Sequence, residues 1–293
     1  MAASRTRIRI DVAYDGTEFT GWAKQPGLRT CQGLLESALE TVVREPAPVT
    51  VAGRTDAGVH ALGQVAHFDA PEGIADIDRL PHRLNSLMRA SDIAVLRASV
   101  APEGFDARFS ATSRRYRYRL QLDTRNPLAK DAAHWRRELA LHAMQDTAEL
   151  LTGLHDFAAF CKPREGATTI RELREFSWRF IQTDGPGRIL EAHVLADAFC
   201  HSMVRSLVGA CVAVGEGRLG LAAAESLLQE RRRSSAIPLM PANGLTLMEV
   251  GYPDDADLAA QAERTKARRT PDDVEPRSRY HAEQPSQSTG DQQ

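Results

Sequence analysis

In the stretch VAGRTDAGVHALGQVAHFD, from Val51 to Asp69, one carboxylate, Asp56, sits between an arginine, two glycines and a histidine in otherwise apolar surroundings. Gly53 and Gly58 bracket Arg54 to Ala57, so the backbone there can turn sharply or let another molecule come close. Arg54 could pair with Asp56 or bind a phosphate, and Thr55 could hydrogen-bond the loop backbone. A carboxylate held ionised by such neighbours is a usable nucleophile or base. The residues alone leave a second reading open, in which Asp56 only caps the loop, as aspartate does in many turns.

Such a loop needs rigid elements on either side, and the hydrophobic periods supply them. Val49 to Ala52 and Gln64 to Asp69 read as strands, which puts Gly53 to Gly63 between them. Upstream, Ile8, Ile10, Val12 and Tyr14 alternate as in a half-buried strand and stop at the Asp15-Gly16 turn signal. Leu34, Leu35, Ala38, Leu39, Val42 and Val43 then recur at helical spacing, bounded by Pro46 and Pro48. Leu80, Leu84, Leu87 and Met88 predict a second helix. Tyr116, Tyr118, Leu120 and Leu122 occupy one face of a strand whose other face carries Arg115, Arg117 and Arg119, a side predicted to be wet and basic. Leu141, Met144, Ala148 and Leu151 mark a helix, and Phe176 to Phe180 and Leu190 to Ala198 a hairpin around TDGPGR. A helix from Met203 to Val212, another around Leu221 to Arg231 and a strand around Leu245 to Val250 follow. Strands and helices therefore interleave twice, which points to two related α+β halves: residues 1–110 with the aspartate loop, and 111–253.

The chain has 293 residues, 42% of them apolar, enough for a sizeable core. Residues from Asp254 onward include no Phe, Ile, Met or Trp. Such a segment cannot offset chain entropy by burial, so 254–293 reads as a disordered polar tail with room for no more than a short helix at its start. No apolar run is long enough to span a bilayer. The N-terminal residues pass into a strand pattern without the apolar centre of a secretory signal, so a cytoplasmic protein away from the membrane is expected. Cys31, Cys161, Cys200 and Cys211 are scattered without metal-ligand spacing, so reduced, mostly buried thiols and no metal are expected. The net charge of −2 argues against a simple polybasic nucleic-acid binder. Basic residues nevertheless bunch at Arg114 to Arg119, Arg136/Arg137 and Arg231 to Arg233, where a local positive surface can form.

GRTDAGVHALGQVAHF resembles the catalytic signature of the TruA family of tRNA pseudouridine synthases. Four further stretches resemble family segments in the same order: AYDGTEFTGW, FDARFSATSRRYRYRL, AFCHSMVRSLVGACVAVGEG and GLTLMEVGYP. The resemblance covers roughly residues 5 to 253. It implies a mixed, mainly antiparallel sheet of two ferredoxin-like halves with a central cleft. It also implies a cofactor-free homodimer that converts uridine to pseudouridine at positions 38 to 40 of the tRNA anticodon arm. The reaction breaks the N1–C1′ bond, turns the base and joins C5 to C1′. A carboxylate can assist by attacking C6 or C1′, or by taking the 2′ proton to give a glycal.

The resemblance makes Asp56 the catalytic carboxylate and Arg54 its expected partner, holding the space for a flipped nucleotide. Tyr116 matches the family's active-site tyrosine, expected to stack on the extruded uracil and to help remove the C5 proton. Arg205 falls where the family places a basic residue near the cleft, and His60 lies within the motif as a substrate-binding candidate or a packing residue. Arg115, Arg117, Arg119 and the other basic clusters are candidates for the tRNA backbone. The segment Cys161 to Glu175 is expected to form a basic loop over the cleft. The chain departs from the commoner pattern at GWAKQ, and at Ser202 and Ser206 around Met203 to Arg205. Two other readings compete: an RNA chaperone in which Asp56 is incidental, and a nucleosidase that hydrolyses the same bond.

Overall fold

The computed structural model describes residues 5–71, 76–164, 166–182, 185–267, 269–270 and 273–274. The first half runs β1 (Arg5–Tyr14), α1 (Cys31–Val43), β2 (Thr50–Val51), β3 (His60–Pro71), α2 (Leu80–Met88) and β4 (Ile93–Val100). Its strands lie in the order β4-β1-β3, with β2 beside β3 and every pair antiparallel. The second half runs β5 (Ser113–Gln121), β6 (Ala133–His134), α3 (Leu141–Leu151), β7 (Gly153–Asp156), β8 (Ile170–Ile181) and β9 (Ile189–Ala196). It continues through α4 (Met203–Gly215) and α5 (Leu221–Ser226) to β10 (Leu245–Gly251). Its main strands lie in the order β10-β5-β9-β8. Numbered within each half, both orders are 4-1-3-2 with helical crossovers, one helix in each except the last, which carries α4 and α5, so each half is ferredoxin-like and the expected mixed, mainly antiparallel sheet is what forms.

Local rules explain the elements. Ile8, Ile10 and Val12 of β1 are wholly buried at the period of two that a one-sided strand requires. The Thr30 side chain accepts from the Gly33 N–H at the start of α1, and Arg44 ends that helix in the left-handed conformation. Pro81 occupies the first turn of α2, where its missing N–H costs nothing.

The two halves join at one seam. The last strand, β10, runs parallel to β3 over only two pairs, Thr246 with His60 and Leu247 with Ala61, and antiparallel to β5 on its other side. Because β2 pairs with the far end of β3, at Ala66 and His67, the first residues of β3 are left to β10. The loop 52–59 between β2 and β3 therefore opens directly over the seam.

Several expectations change. β4 has no alternating signal because Leu96 and Val100 are exposed and a register shift interrupts its pairing with β1. The basic segment expected over 161–175 is a loop only to residue 169, since β8 begins at Ile170. The tail opens with structure: α6 (Leu258–Lys266) buries Leu258 and Ala262, and Gly104 comes so close that a Cβ there would lie 2.7 Å from that of Ala259. Residues 275–293 of the tail lie outside the described residues. Two cysteines are not free thiols: Cys161 and Cys200 form a disulfide with Cα atoms 5.8 Å apart, while Cys31 and Cys211 remain free and buried. Their 39-residue separation gave no spacing signal.

Candidate active site

The aspartate loop is held from below by the segment after β1. Tyr14 Oη lies 2.8 Å from Thr55 Oγ1, and Gln64 Nε2 donates both to Tyr14 Oη and to the Gly53 carbonyl. The Trp22 N–H donates to the Thr55 carbonyl, and within the loop the Val59 N–H closes back on the Asp56 carbonyl at 3.2 Å. Gly21 has φ +90°, and a Cβ there would lie 2.9 Å from the Thr55 oxygen, so a side chain would push the loop out of place. These contacts fix the backbone of Thr55 and turn the Asp56 side chain outward, 32% exposed.

Two groups from the second half meet that carboxylate. Arg205, in the first turn of α4, reaches Oδ2 with Nη1 at 3.5 Å, while its Nε donates to the Met240 carbonyl at 2.6 Å. His201 places Nε2 3.3 Å from Oδ1. Tyr116 lies on β5 with its ring edge-on to Phe199, centroids 5.2 Å apart. Burial pushes its phenol up to about 12; buried Arg114 opposes that rise and the Asp56 charge adds to it. Tyr116 is therefore a protonated wall of the site at neutral pH. Beneath it, Tyr118 donates to the Pro241 carbonyl, and Arg114 donates to the carbonyls of Ala52, Arg108 and Asp197, tying the loop, β5 and the end of β9 together.

The expected residues sort clearly. Asp56, Tyr116 and Arg205 come together. Arg54 does not pair with Asp56: its side chain is exposed and makes no hydrogen bond or ion pair among the described residues. In a two-residue step across the tight loop the two side chains diverge, and the partner comes from 149 residues away. His60 is buried under the loop. The Gly16 N–H donates to its Nδ1 at 3.0 Å, which leaves Nε2 to donate to the Asn243 carbonyl at 3.1 Å, so it packs the seam and does not face the carboxylate.

Arg115, Arg117 and Arg119 are not a free basic surface either. Arg115 meets Glu175 and Glu249, Arg117 meets Asp131, and Arg119 meets both Asp131 and Glu191. Arg137 pairs with Glu216 and Arg231 with Asp156. Sequence reasoning missed His201, although it lies four residues before Arg205 in a stretch already singled out. Among the described residues no group of three His, Cys, Asp or Glu side chains is placed to hold a metal ion, and no helix is long and apolar enough to cross a membrane.

The sequence model of a family described as tRNA pseudouridine synthase matches residues 11–110 and 147–253. The chain belongs to the tRNA pseudouridine synthase family. It is 52% identical over 291 residues to the tRNA pseudouridine synthase A of Leifsonia xyli, covering 92% of this chain and all of that one. It is also 50% identical over 273 residues to the protein of the same name from Corynebacterium glutamicum, covering 89% and 94%. Among solved structures, a Cbf5–Nop10–Gar1 complex matches with a TM-score of 0.34 and 11% identity over 84% of this chain, which spans half of that one. The activity of this family is the isomerisation of uridine to pseudouridine in tRNA.

Proposed function

We propose that Asp56 is the group that assists glycosidic cleavage, and that the substrates are uridines 38, 39 and 40 of the tRNA anticodon arm, bound by a cytoplasmic homodimer. The observation that carries this reading is the half-exposed Asp56 carboxylate at the seam, with Arg205 on one oxygen and Tyr116 beside it.

The target base must leave its stack, and a site with an aromatic wall and a cationic neighbour suits a flipped nucleotide. The carboxylate then adds to C6 or C1′, or takes the 2′ proton. The N1–C1′ pair goes to the base, the base turns, C5 bonds to C1′, and Asp56 is restored as its bond to C1′ or C6 breaks or as the proton it took returns to C2′. The proton lost from C5 is balanced by one gained at N1, so no cofactor is consumed. With its phenol pushed up to about 12, Tyr116 can take the C5 proton only by passing its own proton on.

Tritium release from tRNA carrying 5-tritiated uridine tests this directly. Wild type should release tritium, while Asp56→Ala and Asp56→Asn should bind tRNA without release. Binding without release by the wild type would favour the chaperone, and free uracil as product would favour the nucleosidase.

A further inference from the structure

We propose that His201 is a positioning residue for the reaction: it holds the second oxygen of Asp56 and so fixes the plane in which the carboxylate meets the flipped nucleotide. This rests on the reading of Asp56 given above. The torsion that turns a carboxylate about its Cβ–Cγ bond is soft, and one partner does not lock it. Here the two oxygens have separate partners, Arg205 Nη1 on Oδ2 at 3.5 Å and His201 Nε2 on Oδ1 at 3.3 Å. Each oxygen accepts more than one hydrogen bond, so each keeps a lone pair for the nucleotide.

The four-residue segment that carries His201 is built as a bracket. Phe199 packs on Tyr116, and Cys200 is bonded to Cys161. The His201 carbonyl accepts from the Lys162 N–H at 2.9 Å, and Ser202, with φ +66°, turns the chain into α4. One short segment therefore sets the wall behind the base, through Phe199, and the angle of the carboxylate, through His201. Arg205 follows one turn later on α4. Coupling of that kind is what preorganisation requires: the reacting group is held before substrate arrives, so little reorganisation is left for the chemical step.

The test is steady-state kinetics of tritium release by full-length wild type, His201→Ala, His201→Gln and Asp56→Ala, with melting temperatures measured in parallel. Loss of orientation should lower the kcat of His201→Ala roughly tenfold to a hundredfold, with KM for tRNA and melting temperature near wild type. His201→Gln, which can still place an N–H at Oδ1, should recover a large part of kcat. Wild-type kcat in His201→Ala overturns the proposal. So does a change confined to KM, or a His201→Gln variant as slow as His201→Ala. Asp56→Ala separates the two levels: turnover by that variant would sink the reading of Asp56 itself, whereas an inactive Asp56→Ala beside a fully active His201→Ala would sink only the role of His201.

Discussion

The two faces of β5 are built from the same nine residues and do opposite things. On one, Arg115, Arg117 and Arg119 alternate and each is matched by carboxylates, Glu191 alone meeting Arg119 at 2.8 Å, His193 at 2.7 Å and Arg179 at 3.2 Å. On the other, Arg114, Tyr116 and Tyr118 line the seam, where Asp56 is open to solvent with two longer contacts, Arg205 at 3.5 Å and His201 at 3.3 Å. Charges satisfied several times over hold strands together. The site instead leaves its carboxylate with lone pairs to spare, and that is where a substrate can still gain something by binding. Along the sequence the arginines of β5 read as a free basic face, whereas in the fold each is matched by an acid.

Substitutions on each side should separate these roles. The largest effect is expected from Arg205→Ala, which strips Asp56 Oδ2 of its arginine: turnover should fall on the order of a hundredfold or more, read by tritium release, with little change in melting temperature. Tyr116→Phe should keep tRNA binding and lose about a hundredfold in turnover, within the range for a proton-transfer group; unchanged turnover would remove the hydroxyl from the mechanism.

Across the strand, Glu191→Gln should do the reverse, costing about 2–3 kcal/mol in denaturant unfolding by leaving clustered arginines uncompensated, with activity per folded molecule intact. Burial alone would raise the Glu191 carboxyl, but hydrogen bonds from Arg119, Arg179 and His193 outweigh it and hold it below its ordinary value of 4.5. Its stabilisation is therefore complete above that value and is lost as pH falls through the lower folded-state value, a loss that the glutamine variant should not show. The smallest effect belongs to Arg54→Ala. As an exposed cation beside the site, it should weaken tRNA binding modestly and reduce the salt slope by roughly one; an unchanged slope would mean that Arg54 touches no phosphate.

Much of the fold was legible because the relevant periods are local. Ile8, Ile10 and Val12 announced β1, and Met203 to Val212 announced α4, since a buried face repeats every two or every 3.6 residues whatever lies opposite. Where the face is not uniform the signal fails, as in β4 with its exposed Leu96. Short strands such as β6 and β7 carry too few residues to show any period. In the candidate site, motifs singled out Asp56 and Tyr116, and the fold brings the two side chains near each other. The Arg54 pairing was a natural guess from proximity along the chain and it was wrong, because a tight loop splays neighbours apart. The bonding of Cys161 to Cys200 could not be read from spacing for the same reason in reverse.

By itself, then, the sequence determined most of the strands and helices, the doubled α+β order and the family, and it singled out the carboxylate at residue 56, all of which depend on local pattern or contiguous motifs. Only the tertiary structure decided what surrounds that carboxylate. The pairing of β10 with β3 brings α4 against the loop, so Arg205 and His201 arrive from the other half of the chain, while the arginines of β5 are matched by acids on four neighbouring segments. Contacts between residues more than a hundred positions apart are set by strand order, and no period along the chain encodes it.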